Sequence, residues 1–394
     1  MATKKLYDDM PYETTFDAEV LSCEKKDDST YLLILDRTLF FPEEGGQTPD
    51  TGVLRMTTDH GDKVAYIKDV QIDKKDTITH YSDTAFAPGD KVSGEIEWMH
   101  RYTNMQCHTG EHIISGIIHR LYGYDNTGFH LSENIVTMDY NGPIEDSDIA
   151  EIEWIANEAV INNVPVNCSY PDSDTLKTLP YRSKKELDGP IRIVEIPGVD
   201  ICACCAPHVR STGEVGMIKI LSADSYKGGM RLSILCGFRA LEDYGDKHSL
   251  ILSLGQRLSA NRDTLEDAVI AKDDEIFSLK GRILTLEELL LKKEAECIPP
   301  GEKNPCLFTE GLSNITVRNG VNSLTKTHPG YCAVFNGNDT EGYSYIIGSA
   351  NKDCREMLSH LKTKFDIKGG GSPDMIQGRL LANGSDIKSV FQAF

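Results

Sequence analysis

Two short spacings nearly a hundred residues apart constrain this chain more than any other feature of it. His108 and His112 stand four positions apart. In a helix both imidazoles leave one face about one turn apart, so they can grip a single ion. Cys204 and His208 repeat the spacing, and they offer the soft thiolate and borderline imidazole that suit zinc. Either pair alone is ordinary, since paired histidines on helices are usually core or surface residues. Together they make a full ligand set for one Zn2+, provided that distant stretches of chain converge on it. Cys202 and Cys205 compete with Cys204 for the thiolate role, and spacing does not choose among them. Four protein ligands would form a closed structural site, and three plus water an open catalytic one. The sequence leaves that choice open.

Around these pairs the patterning changes several times. Residues 14–100 hold short alternating runs, among them TYLLILDRTLFF and KVSGEIEWMH, broken by Gly, Asp, Pro and Asn. They predict a small antiparallel barrel or sheet. From Thr103 the period becomes helical: Ile113, Ile114, Ile117, Ile118 and Leu121 share a face, and Gly123 can close the helix. A second helix is expected over Ile144–Asn163, then mixed strands to about Leu221. Leu258, Leu265, Val269, Ile276, Leu279, Ile283, Leu286 and Leu290 keep the three-and-four spacing of a coiled-coil seam, interrupted by Lys272. CIPPGEKNPC then breaks the pattern, which sets a boundary near 298. Beyond that boundary the pattern predicts a small α/β domain with a helix over Asp353–Lys364. The fold class expected is α+β and multidomain: an N-terminal small β-barrel (1–100), an α+β domain with the zinc site (101–240), a long helical linker (241–298) and a C-terminal small α/β domain (299–394).

Composition narrows the functional classes. No run approaches the roughly 18 apolar residues of a membrane span, and the opening MATKKLYDDMPYE lacks a signal's apolar core. A cytoplasmic protein without membrane partners is expected. Eleven cysteines, an odd number and mostly scattered, fit reduced thiols better than a disulfide framework. A net charge of −20 argues against nonspecific coating of nucleic acid. Residues 301–394, with 10 basic and 9 acidic groups, are the segment where polyanion contact is expected.

These motifs resemble a known family, the freestanding alanyl-tRNA editing proteins, related to the editing domains of alanyl- and threonyl-tRNA synthetases. There an H-x-x-x-H helix is matched with a downstream C-x-x-x-H, as His108, His112, Cys204 and His208 stand here in order and separation. Ahead of them the family carries a T-x-F-Y-P-E-G-G-G-Q-x-x-D-x-G stretch. This chain reads Thr38-Leu-Phe-Phe-Pro-Glu-Glu-Gly45-Gly46-Gln47-Thr-Pro-Asp50-Thr-Gly52, with Glu44 for one glycine and Phe41 for the tyrosine. Cys205-Ala-Pro stands where the synthetases usually have Gly-Gly-Thr. The likeness continues through Gly213-Glu-Val-Gly216 and Gly228-Gly-Met-Arg231. Gly369-Gly-Gly-Ser-Pro-Asp374-Met-Ile-Gln377-Gly378 is similar to the glycine-rich motif that alanyl-tRNA synthetases share with DHH-family phosphoesterases. Coverage is nearly the whole chain, as in the long form of the editing proteins.

The resemblance implies a zinc-dependent hydrolase that deacylates mischarged tRNA(Ala), first Ser-tRNA(Ala) and secondarily Gly-tRNA(Ala). Thr38 and Gln47 suit the reading of a serine hydroxyl; turn or barrel-rim hydrogen bonding is the plain alternative for both. Gly369, Gly370 and Gly371 would form a loop that lets a sugar-phosphate chain approach. The seam at 258–290 either pairs two chains or folds back as an intramolecular hairpin; a homodimer through the helical linker or the C-terminal domain is the expectation. Two rivals remain. His108-Thr-Gly-Glu111-His112 also fits the H-x-x-E-H pattern of zinc proteases, with Glu111 as general base and Glu186 or Glu195 as third ligand. Otherwise Glu111 is expected on a helix face turned to solvent. The other rival is a noncatalytic zinc-stabilised tRNA-binding protein. The phosphoesterase itself is disfavoured, because Asp59-His60-Gly61 is the nearest approach to its Asp-His-His.

Overall fold

The computed structural model describes residues 2–59, 61–132, 135–183, 190–299 and 301–394. It is a mixed α+β, multidomain structure that divides into two compact units, Met1–Leu250 and Ile251–Phe394. His60 and Glu186, named above, lie outside the described residues.

In the first unit the alternating runs close on themselves. Thr15–Lys25, Tyr31–Leu35, Ile78–Ser82, Gly61–Ile72, Gly52–Thr58 and Lys91–Ile96 form a closed barrel in that hydrogen-bonded order. Phe16, Ala18 and Val20 alternate inward, as period-two patterning requires. Closure leaves this sheet without an open edge. The Thr38–Asp50 motif crosses between two barrel strands with Phe40 and Phe41 fully buried. It is tied to the next helix by a buried ion pair: Arg101 donates to Asp50 and to the carbonyls of Leu39 and Pro11, while Asp50 accepts from the Phe41 N–H at 2.6 Å.

That helix, Trp98–Tyr122, is the axis of the unit. Gly123 ends it in the left-handed conformation (φ 71°), its N–H returning to the His119 carbonyl. From Asn104 to Ile118 every residue is buried. Ile113, Ile114, Ile117 and Ile118 pack with Val136, Met138, Leu232 and Ile234 of a four-stranded antiparallel sheet. Its strands run Ile218–Tyr226, Gly229–Cys236, Val136–Tyr140 and Asn126–Leu131 in spatial order. A smaller sheet of Asn167–Ser169, Ile193–Ile196 and Asp200–Ala203 delivers the chain to Cys204. Gly116 faces this sheet: a Cβ there would lie 2.3 Å from the Val199 carbonyl oxygen and 2.7 Å from the Asp200 Cβ. Only glycine lets helix and strand approach so closely.

The predicted seam falls on two helices, Gly237–Leu258 and Leu265–Glu296. Ser259 takes a left-handed φ of 54°, and Asn261 caps the restart through a capping box with Thr264. In the second unit the residue of Leu265–Glu296 that is buried is Leu291, against the helix Asn314–Leu324. The seam residues Ile276, Leu279, Ile283, Leu286 and Leu290 are exposed. The rest is a five-stranded sheet ordered Cys306–Thr309, Cys332–Asn338, Gly342–Gly348, Met375–Leu380 and Ile367–Gly371, with helices Cys354–Lys362 and Gly384–Ala393. Gly369–Gly371 therefore belong to an edge strand and not to a loop, paired with Gly378, Gln377 and Ile376. A Cβ at Gly369 would meet the Tyr345 Oη at 2.3 Å, whereas Gly370 has open space. Among the described residues no helix is long and apolar enough to cross a membrane.

Candidate metal centre

The helix Trp98–Tyr122 presents His108 and His112, and the segment after strand Asp200–Ala203 presents Cys204 and His208. The structure brings these four side chains together, with one donor atom from each all lying within 4.8 Å of one another. The three histidines are 2–3 % exposed. The Cys204 Sγ lies 3.4 Å from the Nε2 atoms of both His108 and His208.

The outward-facing nitrogens matter as much. His108 Nδ1 bonds Gln47 Oε1 at 2.8 Å, His208 Nδ1 bonds Thr109 Oγ1 at 3.0 Å, and His112 Nδ1 bonds Asp200 Oδ2 at 2.9 Å. Each ring is held at Nδ1 by a neighbour, an arrangement that fixes tautomer and orientation for a ligand using Nε2. Asp200 is itself gripped by Arg182, at 2.8 and 2.9 Å. A soft thiolate with three oriented imidazoles is a donor set that fits zinc.

Electrostatics separates the three cysteines that spacing could not. Burial works to raise the Cys204 thiol, but His108 and His208 beside it outweigh that and hold it well below the usual thiol range. Burial pushes Cys202 up to about 11, and burial with the neighbouring Cys204 raises Cys205 well above its ordinary value. Of the three, Cys204 has the surroundings that most favour a thiolate. Cys202 lies with His112 and Asp200 in a second, overlapping group, but Arg182 already holds both Asp200 oxygens. Burial pushes His208 down to about 3, against the neighbouring Cys204, which draws it up. His112 is raised despite burial, chiefly by its Asp200 hydrogen bond.

Gln47 reaches the cluster through a turn in which Gly45 and Gly46 both have positive φ, 64° and 86°. Side chains rarely adopt two such values in succession. Gly46 is also pressed against the Phe129 carbonyl, 2.3 Å from where a Cβ would stand. Thr38 bonds a different histidine. Its hydroxyl lies 2.9 Å from His80 Nε2 and accepts from the Phe40 N–H at 3.0 Å, all inside the barrel. Burial pushes His80 down to about 4, so this ring is neutral. With Nδ1 facing the Leu33 carbonyl at 3.3 Å, its Nε2 accepts the Thr38 proton.

Glu111 corrects an expectation. It is 1 % exposed and accepts from Ser115 and from Asn126, both at 2.6 Å. It does not face solvent, because this stretch of helix has no solvent face. Among the described residues the group that completes the histidine pair is Cys204 and His208, and Glu195 is not in it. Residues that spacing did not reveal are Thr109, Arg182 and Asp200.

Comparison with known proteins agrees with this layout. The family model of the threonyl and alanyl tRNA synthetase second additional domain matches residues 191–232, the stretch holding Asp200, Cys204 and His208. That of the class II (A) tRNA synthetases matches 4–100, the barrel. The alanyl-tRNA editing protein AlaX-L of Pyrococcus horikoshii is 28 % identical over 98 % of this chain and 97 % of its own length. The chain is thus similar to an alanyl-tRNA editing protein over nearly its whole length. The Xenopus laevis alanyl-tRNA editing protein Aarsd1-A is 29 % identical over 70 % of the chain and 68 % of its own length. The alanine–tRNA ligase of Ignicoccus hospitalis is 29 % identical over 74 % of the chain, which spans 32 % of that synthetase. The matched stretch is thus a minority of the synthetase and nearly all of the Pyrococcus horikoshii editing protein.

Proposed function

We propose that this protein is a zinc-dependent deacylase that hydrolyses mischarged tRNA(Ala), with Ser-tRNA(Ala) as main substrate and Gly-tRNA(Ala) as a second. The observation that carries the reading is the convergence of His108, His112, Cys204 and His208, each imidazole tied outward at Nδ1. The end-to-end likeness to alanyl-tRNA editing proteins supports it. The chemistry has a reason to exist. An alanine site cannot strongly reject glycine, since one methyl group is worth only about 1–3 kcal/mol, and excluding the slightly larger serine by shape is also limited. A second site sorts by another criterion, whether a hydroxyl satisfies polar groups that alanine would leave unpaired.

In the reaction, water adds to the ester carbonyl carbon and the bond to the ribose oxygen breaks. That oxygen takes up a proton, which releases the free amino acid and uncharged tRNA. Zinc, when bound by all four side chains, would position the ester, and it would have to take a fifth ligand or release one of the four to polarise the carbonyl or to lower the pKa of a water towards about 7. Asp200, Thr109 and Gln47 hold the ligand rings, and the buried surroundings strengthen every electrostatic contact there. Thr38, its proton given to His80, can offer substrate only an acceptor lone pair.

The C-terminal edge strand Ile367–Gly371 is our candidate for the tRNA backbone, because side-chain-free Gly370 leaves room for a phosphodiester chain in a nearly neutral segment. The exposed seam residues of Leu265–Glu296 are our candidate homodimer surface. We assign the protein to the cytoplasm, where charged tRNA is used. The test is deacylation of Ser-, Gly- and Ala-charged tRNA(Ala) with metal analysis of the same sample. Loss of the seryl ester and retention of the alanyl ester are expected. Intact Ser-tRNA(Ala) after incubation with excess zinc-loaded protein would refute the reading and favour a noncatalytic tRNA-binding protein.

A further inference from the structure

Gln47 is fully buried, yet its hydrogen bonding is half complete. Its Oε1 bonds His108 at 2.8 Å, while its Nε2 is buried with no partner. A buried donor left unpaired costs roughly 1–3 kcal/mol, so a retained one points to a ligand that completes it.

The amide has no freedom to turn. His108 must keep Nε2 for the metal, so its proton sits on Nδ1, and Nδ1–H needs an acceptor. That need faces the Gln47 oxygen to His108 and the NH2 group away. The backbone is fixed on both sides as well: the Gln47 N–H bonds the Glu44 carbonyl at 3.0 Å, and the Leu131 N–H bonds the Gly46 carbonyl at 2.7 Å. Gln47 is therefore a pure donor toward anything bound beside the cluster.

We propose that Gln47 uses the two ends of one amide for two tasks: Oε1 positions His108 for the metal, and Nε2–H donates to the acyl carbonyl oxygen of the substrate ester. The second task rests on the deacylase reading; the first does not. The carbonyl is the acceptor we assign because it must lie at the metal cluster whichever amino acid the tRNA carries. Negative charge gathers on that oxygen as water adds to the carbonyl carbon, and it returns to the carbon when the ribose oxygen leaves. A donor already oriented by a metal ligand needs no rearrangement to meet that charge.

Gln47→Glu keeps an acceptor for His108 and removes the donor, whereas Gln47→Ala removes both. Zinc affinity is read by competition with a chromophoric chelator, and kcat by single-turnover deacylation of Ser-tRNA(Ala) and Gly-tRNA(Ala). Gln47→Glu should bind zinc as tightly as wild type or more so, with kcat lowered by about 10²–10³-fold on both esters alike. Gln47→Ala should lose about 10–100-fold in zinc affinity. Wild-type rates in Gln47→Glu would overturn the donor assignment. A loss confined to the seryl ester would also overturn it, making Gln47 a reader of the serine hydroxyl. Unchanged zinc affinity in Gln47→Ala would overturn the positioning role. A wild-type protein inert on both esters would sink the deacylase reading and the donor role with it, while the zinc series would still decide the positioning role.

Discussion

Asp200→Asn separates a metal-orienting carboxylate from a merely structural one. The side chain is 2 % exposed, and it holds His112 Nδ1 at 2.9 Å while Arg182 holds it at 2.8 and 2.9 Å. The amide keeps an acceptor oxygen but loses the charge, so His112 becomes a poorer donor through Nε2. Outer partners of this kind are worth about 10–100-fold in metal affinity, or about 1.4–2.7 kcal/mol. The same change strands Arg182, 10 % exposed, without its counter-charge. Breaking a buried pair on one side costs about 3–5 kcal/mol of stability. The two effects can be told apart. Asp200→Asn with Arg182→Met should recover most of the stability, read by urea denaturation, and none of the zinc affinity, read by chelator competition. Zinc affinity equal to wild type in Asp200→Asn would refute the argument, because His112 would then need no carboxylate behind it.

The same geometry has other consequences. Cys204→Ala should abolish zinc binding and deacylation together, whereas Cys205→Ser should retain one zinc per chain by elemental analysis; the reverse would move the thiolate. Gly116→Val should destabilise the first unit by about 1–3 kcal/mol or more, and it should weaken zinc binding because the new methyls press on Val199 and Asp200. His80 carries a pH prediction. Its folded pKa is pushed down to about 4 by burial, against about 6.5 in an open chain, so the unfolded chain takes up a proton that the barrel refuses. That contribution is intact above about pH 6.5, shrinks by about 3 kcal/mol as pH falls to about 4, and then levels off. His80→Gln should flatten the slope in denaturation midpoints over that window; an unchanged slope would contradict it.

Much of the barrel and the His108 helix was legible because period-two alternation and an isoleucine face at helical spacing are local signals. The restart of the helix at Leu265 had a local signal too, the Asn261-x-x-Thr264 capping box, masked by apolar spacing that runs on across the break. Glu111 was misread for a different reason. A helix buried all round has no polar stripe, so nothing in its phase says which carboxylate is inside. Asp200, Thr109 and Arg182 are common residue types, at spacings set by how a strand meets a helix and not by any repeat along the chain. Gly116 was the available clue, since a glycine inside a strong helical pattern usually has a packing reason. The glycines at 369–371 suggested a loop by composition, yet the close pairing of Gly369 with Gly378 is a strand-packing requirement that composition does not carry.

The most direct measurement is zinc K-edge X-ray absorption on the zinc-loaded chain, with tRNA absent. One sulfur at about 2.3 Å and three nitrogens at about 2.0–2.1 Å are expected, and the sulfur shell should vanish in Cys204→Ala. Two sulfurs, or an unchanged shell in that variant, would mean that the four side chains do not share one ion.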